Sequence, residues 1–167
     1  KRAEALRELE LAAKAEIRPD NHWGLVRRIA WIYRRQGERT KAIEWYQYLI
    51  DVGYRRPDGR VGTRNYVALI STVNCSAHTT REIAHHFTQE RLAAYPNVDG
   101  VIALVHHTGC SFQLGGPDYV LLQRTLAGMA THPNVGAYAF VGLGCEENQA
   151  DDLIENYGLA QQRGAPA

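Results

Sequence analysis

Three stretches of sequence share one pattern and decide the fold: YVALISTVNCS at 66–76, GVIALVHHTGC at 100–110 and AYAFVGLGCEENQ at 137–149. Each begins with a short apolar run and continues into polar residues that include a cysteine. Apolar runs of this length predict buried strands at 66–72, 100–105 and 137–141. Because parallel strands are buried on both faces, uninterrupted apolar runs favour a parallel sheet.

Helical patterns separate and follow these strands, at 79–95, 117–131 and 149–157. Thr79 is predicted to cap the first helix, and Glu82 three residues later completes a capping box. The order βαβαβα predicts an α/β fold with a Rossmann-like, doubly wound parallel sheet over residues 54–167.

Residues 1–53 are predicted to be all-helical. Leu6, Leu9, Ala13 and Ile17 recur at helical spacing. Asn21 is expected to cap a second helix that runs to Gln36, and a third helix is expected over 40–52. The stretch resembles the helical hairpin of tetratricopeptide repeats, and the matching residues are Ala30, Tyr33, Gly37, Ala42 and Tyr46. Two interpretations stay open, a module that docks a partner and an amphipathic hairpin that packs on its own chain.

Composition limits the classes of protein. The 167 residues carry a net charge of only +1, so we expect no nucleic-acid partner. No apolar run is typical of a transmembrane helix, so we expect no membrane partner. The odd number of cysteines, three, argues against a disulfide-stapled secreted fold and favours a reducing, cytoplasmic location.

Charge and cysteine are distributed unevenly along the chain. Residues 1–60 hold 14 Lys and Arg against 9 Asp and Glu, whereas residues 61–167 hold 5 against 9. All three cysteines follow residue 60. This shift predicts a domain boundary within 53–62, where YRRPDGRVG is typical of a loop.

The three cysteines follow the three strands. Because the carboxyl ends of parallel strands share one edge of a sheet, Cys75, Cys110 and Cys145 are expected to converge. Three thiolates are a ligand set for a metal ion or an iron–sulfur cluster with one coordination position open. His106 or His107 is the candidate base, and Glu146 is a candidate acid or base.

Other familiar sites are missing from the sequence. No G-x-G-x-x-G fingerprint follows a strand, and there is no phosphate-binding P-loop, G-x-S-x-G elbow or Cys-x-x-Cys pair. A dinucleotide site, a zinc ribbon and a thioredoxin-type site are therefore not predicted.

Four separated motifs resemble the altronate and galactarate dehydratases, to which sulfolactate sulfo-lyases are related. They are GYRRPDGRVGTRNYVALISTVNCSA at 53–77, YPNVDGVIALVHHTGC at 95–110, LQRTLAGMATHPN at 122–134 and VGLGCEENQ at 141–149. Members of that family are much longer, so the chain resembles only the first portion of their catalytic region, the second domain. It departs from the family pattern at Ser111, where glycine is expected.

The resemblance implies an enzyme that removes water from a sugar acid, with iron, as Fe²⁺ or an iron–sulfur cluster, or another divalent metal. It implies Cys75, Cys110 and Cys145 as metal ligands, and His106, His107 and Glu146 as catalytic residues. The residues expected to bind substrate are Arg64, Asn65, Asn74, Ser76, Thr108 and Asn148. The expected partners are the sugar acid and either further copies of the chain or the remainder of the catalytic region.

Two other hypotheses stay open. In one, the chain is a non-catalytic assembly module and the α/β layer is a degenerate remnant. In the other, an exposed cysteine acts as a thiol redox sensor without metal.

Overall fold

A computed structural model describes residues 2–14 and 19–159. The chain divides into two compact units that meet between Gly53 and Tyr54. The first unit is helical and the second combines helices with a sheet, so the mixed architecture is confirmed. No described helix is both long enough and apolar enough to cross a membrane.

The helical unit contains α1 (Arg2–Lys14), α2 (Pro19–Arg35) and α3 (Arg39–Asp51). The capping role expected of Asn21 is wrong, because α2 already begins at Pro19, and proline suits a first helical turn. Ile17 lies outside the described residues. The buried core draws on all three helices, and its members are Leu6, Ala13, Val26, Ile29, Ala30, Tyr33, Ala42 and Trp45.

A glycine turn joins α2 to α3. Gly37 has a φ of +80°, which glycine adopts without steric cost, and the Glu38 N–H donates to the Tyr33 carbonyl at 3.1 Å. Gly37 therefore ends α2 and lets the chain turn into α3.

The second unit opens with a hairpin that the sequence analysis assigned to a loop. Strands β1 (Tyr54–Arg55) and β2 (Val61–Gly62) pair antiparallel. The Arg56 N–H donates to the Arg60 carbonyl, and Gly59 takes a φ of +82° at the turn. Strands of two residues are too short to produce the alternating apolar pattern that would have predicted them.

A parallel sheet forms the centre of the second unit. It contains β3 (Tyr66–Ser71), β4 (Gly100–Leu104) and β5 (Val135–Val141) in the order β4-β3-β5. Both pairings are parallel, which confirms the predicted sheet.

Within residues 54–159, four helices accompany the sheet: α4 (Ala77–His86), α5 (Gln89–Leu92), α6 (Pro117–Ala130) and α7 (Ala150–Tyr157). The single helix expected over 79–95 is wrong. Helix α4 ends at His86, and Thr88 caps the separate short helix α5. The capping role expected of Thr79 is also wrong. Helix α4 already begins at Ala77, directly after a 3₁₀ turn at Asn74–Ser76.

The sheet buries alternate residues of β3 on its two faces. Ala68 and Ile70 pack in a core with α6 and α7, which supply Leu122, Leu126, Ala127, Ala130 and Leu153. Leu69 is also buried, and because successive side chains alternate, it lies on the face opposite Ala68 and Ile70. Packing on both faces of β3 holds the sheet in place, and the loops after the three strands begin from this packed sheet.

Candidate active site

Three loops follow the carboxyl ends of the strands, and each carries one cysteine. We call them the first loop (72–76), the second loop (105–116) and the third loop (142–149). Strand β3 lies between the other two, so the second and third loops flank the first. Hydrogen bonds connect every pair of these loops.

Backbone contacts hold the second loop against the first. The Asn74 N–H donates to the Thr108 carbonyl at 2.8 Å. Gly109 has a φ of +112°, and a Cβ added there would lie 2.7 Å from the Thr72 carbonyl oxygen and 2.8 Å from the Val73 Cα. Only glycine therefore fits where the two loops touch.

The His106 ring forms a second link between these loops. Its Nδ1 accepts from the Thr108 N–H at 3.2 Å, and its Nε2 lies 2.9 Å from the Ser71 carbonyl. Nε2 therefore carries the proton. Burial lowers the pKa of His106, although the Ser71 carbonyl opposes this effect, and nearby His107 lowers it further. His106 is thus a neutral ring held by the main chain, whereas the His107 side chain is exposed.

The buried Glu146 carboxylate joins the third loop to the first. The Thr72 hydroxyl donates to its Oε1 at 2.6 Å, and the Gly144 N–H donates to its Oε2 at 2.7 Å. The Leu143 N–H donates at 3.2 Å. Burial raises the pKa of Glu146, but these hydrogen bonds outweigh burial and hold the pKa below its usual range. Glu146 is therefore a hydrogen-bonded anion that fixes the shape of the third loop.

Two more candidate residues also connect the first loop with β5 and the third loop. The Ser76 hydroxyl is buried and lies 2.6 Å from the Val141 carbonyl and 2.9 Å from the Val73 carbonyl. The buried Asn148 donates from Nδ2 to the Thr72 carbonyl at 2.9 Å. The Asn148 Oδ1 has no hydrogen-bond partner among the described residues.

Glu147 connects the second and third loops. Its Oε2 accepts from the Ser111 N–H at 3.0 Å. Ser111 has a φ of +62°, the left-handed conformation that favours glycine. The departure from the family pattern at Ser111 thus falls on a position where the backbone itself favours glycine.

All three thiols are exposed at this edge of the sheet. Desolvation raises the pKa of the Cys110 thiol, and nearby Cys75, Glu147 and Cys145 raise it further. Cys145 is therefore close enough to Cys110 to influence the pKa of that thiol.

The donor set fits a soft metal ion or an iron–sulfur cluster in its chemistry and its location, because thiolates are the preferred ligands of both. Within residues 2–14 and 19–159, however, no three His, Cys, Asp or Glu side chains are already positioned to hold a metal ion. The loops meet, but the thiols are not arranged around one point. The metal assignment of Cys75, Cys110 and Cys145 therefore stays a prediction.

Arg64 and Asn65 lie at the other end of the sheet. Both precede β3, so the length of a strand separates them from the cysteines. Arg64 pairs with Asp99 at 3.5 Å, and Asn65 donates from Nδ2 to the Asn97 carbonyl. The structure does not bring these two side chains to the thiol edge. It brings Asn74, Ser76, Thr108 and Asn148 to that edge.

Arg56 organises the amino-terminal end of the sheet, and the sequence analysis did not single it out. It donates to the Pro133 carbonyl at 2.7 Å, to the Asn65 Oδ1 at 2.9 Å and to the Arg64 carbonyl at 3.1 Å. Thr72 and Glu147 were also missed as links between loops. Their positions beside Val73 and Glu146, within the strand-end motifs, are the only sequence signal that marks them.

Comparison with known proteins identifies the class. The family described as D-galactarate dehydratase/altronate hydrolase, second domain, matches residues 53–166. The chain belongs to this family.

Particular relatives agree with the match. The chain is 41% identical over 105 residues to altronate dehydratase of Escherichia coli strain K12, which covers 63% of this chain and 21% of that protein. It is 38% identical over 103 residues to galactarate dehydratase (L-threo-forming) of the same strain, covering 61% and 20%. It is 35% identical over 92 residues to (2R)-sulfolactate sulfo-lyase subunit beta of Chromohalobacter salexigens, covering 55% and 20%.

The aligned part spans about one fifth of each of these curated relatives. No solved structure matches the chain significantly.

Proposed function

We propose that this chain supplies the metal-binding part of a sugar-acid dehydratase, a hydro-lyase acting on a substrate such as altronate or galactarate. The observation that carries the proposal is the pairwise linkage of the three cysteine loops. It occurs in a chain whose relatives are named as dehydratases. The product is a 2-keto-3-deoxy acid.

The site is proposed to hold iron, as Fe²⁺ or in an iron–sulfur cluster, or another divalent metal, through Cys75, Cys110 and Cys145. When bound, the metal supplies a Lewis acid for a carboxylate or hydroxyl of the substrate. Its contribution matters because a proton α to a carboxylate is only weakly acidic.

The exposed His107 is proposed as the base that accepts the α-proton. The β-hydroxyl leaves as water after it takes up a proton, and the resulting enol tautomerises to the keto acid. His106 is assigned a positioning role, because the backbone around it occupies both ring nitrogens. The same argument applies to Glu146, whose carboxylate is bonded within the protein.

Polar groups of Asn74 and Thr108 at the thiol edge are proposed to bind hydroxyls of the sugar acid, since both side chains are exposed there. Ser76 and Asn148 are buried and are proposed to support the loops instead. Binding of substrate by Arg64 and Asn65 stays a prediction that requires the amino-terminal end of the sheet to meet another part of the active site.

We infer that the α/β unit is the opening part of a Rossmann-like sheet, because its strand order β4-β3-β5 is the start of a doubly wound order. The helical unit is proposed to be tetratricopeptide-like on the evidence of its glycine turn. A cytoplasmic location is proposed, because three cysteines, an odd number, argue against a disulfide-stapled secreted fold. Homo-oligomers, or association with the remainder of the catalytic region, are proposed to complete the enzyme.

The test is an activity assay. The chain is incubated anaerobically with Fe²⁺ and with altronate or galactarate, alone and together with a separately expressed downstream portion of a dehydratase relative. Formation of a 2-keto-3-deoxy acid that requires this chain and is lost in His107→Ala supports the proposal. Glu82→Ala, an exposed change on α4, is the matched control and retains activity. Absence of product under every condition, with the fold intact, favours the assembly module.

A further inference from the structure

The outer face of α2 carries a cationic surface that neither the fold nor the proposed dehydration uses. Arg27, Arg28, Arg34 and Arg35 are all exposed, and Trp31 at their centre is 49% exposed. We call this set the arginine–tryptophan face. The inner side of the same helix, with Val26, Ile29, Ala30 and Tyr33, is buried in the helical core.

Helix geometry arranges these side chains in three parallel rows. At 3.6 residues per turn, Arg27 and Arg34 lie along one flank, and Arg28 and Arg35 lie along the other. Trp31 occupies the midline between them. Gly24, seven residues before Trp31, lies on the same midline, and a Cβ added there would meet nothing within 4 Å. The midline is therefore an open strip with an aromatic ring in it and a row of guanidinium groups on each side.

Arg34 and Arg35 lie in the last turn of α2, where positive charge is favourable, but ion pairs do not account for the cluster. None of the four arginines forms an ion pair with a carboxylate in the part of the chain that the structure describes. The Arg35 guanidinium instead lies 5.0 Å from the centre of the Trp31 ring. Like charges that share a face repel one another. Tryptophan and arginine are the residue types that most often contribute a large share of the binding energy at protein interfaces, and here they lie side by side.

We propose that the arginine–tryptophan face is a docking surface for an acidic segment of a partner protein, with an apolar side chain that contacts Trp31 and carboxylates on both sides of it. Arginine forks bind carboxylates in a bidentate manner. Arg27 and Arg34 are seven residues apart, so their Cα atoms are separated by roughly 10 Å along the helix. Carboxylates three residues apart in a segment of polyproline II conformation lie on one face, about 9 Å apart, which is close to this distance.

The observations favour a protein over a nucleic acid. The face spans only about two helical turns, so it would neutralise few phosphates. A short acidic segment with one apolar side chain matches both the charge and the aromatic midline.

The test measures fluorescence anisotropy of a labelled acidic dodecapeptide with one central leucine as the full chain is added. A second peptide has serine in place of leucine. The protein variants are Arg28→Gln with Arg35→Gln, and Trp31→Ala. The control is Arg81→Gln with Arg124→Gln, which removes the same charge from exposed helix positions in the other unit. Circular dichroism verifies that each variant keeps its helices.

We expect binding that weakens with salt, a loss of roughly tenfold in the Arg28/Arg35 variant and no change in the Arg81/Arg124 variant. The effects of Trp31→Ala and of the leucine-to-serine change are expected to be coupled, because each removes the same contact. Equal loss in both arginine variants overturns the proposal, as do additive effects at Trp31. Tighter binding of a single-stranded RNA of equal length, or of phosphatidylserine vesicles, also overturns it.

Discussion

Ser111 adopts a backbone conformation that costs free energy for any residue with a side chain. Its φ of +62° lies in the left-handed region, yet its N–H is held by the Glu147 carboxylate. The hydrogen bond between two loops keeps the residue in this conformation. The family resemblance leads one to expect glycine at this position, and the left-handed backbone conformation is a physical reason for that expectation.

Replacing Ser111 with glycine is predicted to stabilise the protein. The change removes about 1 kcal/mol of backbone strain and keeps the N–H that donates to Glu147. Thermal unfolding measures the effect, and the midpoint of Ser111→Gly is expected to rise by a few degrees. Asn74→Gly serves as the control, since Asn74 lies in a 3₁₀ turn with no left-handed φ, and it is expected to lose stability. A lower midpoint for Ser111→Gly contradicts the argument.

Gly109 is predicted to tolerate no side chain. Alanine there combines an unfavourable φ with a clash against the backbone of the first loop. Gly115 has a φ of +72° but open space around it, so Gly115→Ala introduces the unfavourable φ without a steric clash. We expect Gly109→Ala to lose at least about 2 kcal/mol more stability than Gly115→Ala in denaturant unfolding. Equal losses would mean that the two loops do not touch at Gly109.

At the scale of elements, the third loop depends on one buried carboxylate. Glu146→Gln removes the charge and replaces one acceptor with an amide that cannot accept from Thr72, Leu143 and Gly144 together. We expect a loss of about 1–3 kcal/mol in the free energy of unfolding. Glu155→Gln, an exposed change on α7, is the control and is expected to alter stability little. Equal stability of the two variants argues against an anchoring role for Glu146.

The helical unit has its own pH dependence. The Tyr33 hydroxyl donates to the Glu10 carboxylate at 2.6 Å, and this hydrogen bond, together with burial, raises the pKa of Tyr33 from 10.0 to about 12. A raised pKa in the folded state means that the contribution to stability is present below pH 10 and is lost as pH rises through about 12.

Urea unfolding followed by helical circular dichroism checks this prediction. Wild type is expected to lose its stability advantage over Tyr33→Phe as pH rises between pH 10 and about 12. An advantage that stays constant over this range contradicts the assigned hydrogen bond. The comparison with Tyr33→Phe separates this effect from other groups that titrate at high pH.

At the scale of the whole molecule, the main elements were predictable from the sequence and the contacts between loops were not. Uninterrupted apolar runs predicted β3, β4 and β5, because period and length are properties of the sequence itself. The position of the cysteines at the carboxyl edge followed from parallel topology.

Hydrogen bonds between distant residues could not be predicted in the same way. Thr72 and Glu146 are 74 residues apart, and nothing local in the sequence pairs them. The same reason explains why Arg64 and Asn65 were expected at the site. They belong to the same sequence motif as Cys75, but β3 lies between them and places the two ends of the motif at opposite ends of the strand. His106 and His107 were equivalent in sequence and become distinct only once Ser71 and Thr108 hold the His106 ring.

The three loops are proposed to surround one metal site, and this is tested by the iron and acid-labile sulfide content per chain after anaerobic purification. We predict stoichiometric iron in wild type, retained in the exposed control His78→Ala and lost in Cys75→Ala, Cys110→Ala and Cys145→Ala alike. Sulfide alongside iron would identify a cluster, and iron alone a mononuclear centre. Folded cysteine variants that keep as much iron as wild type, or a wild type that binds none when supplied with Fe²⁺, would contradict the claim.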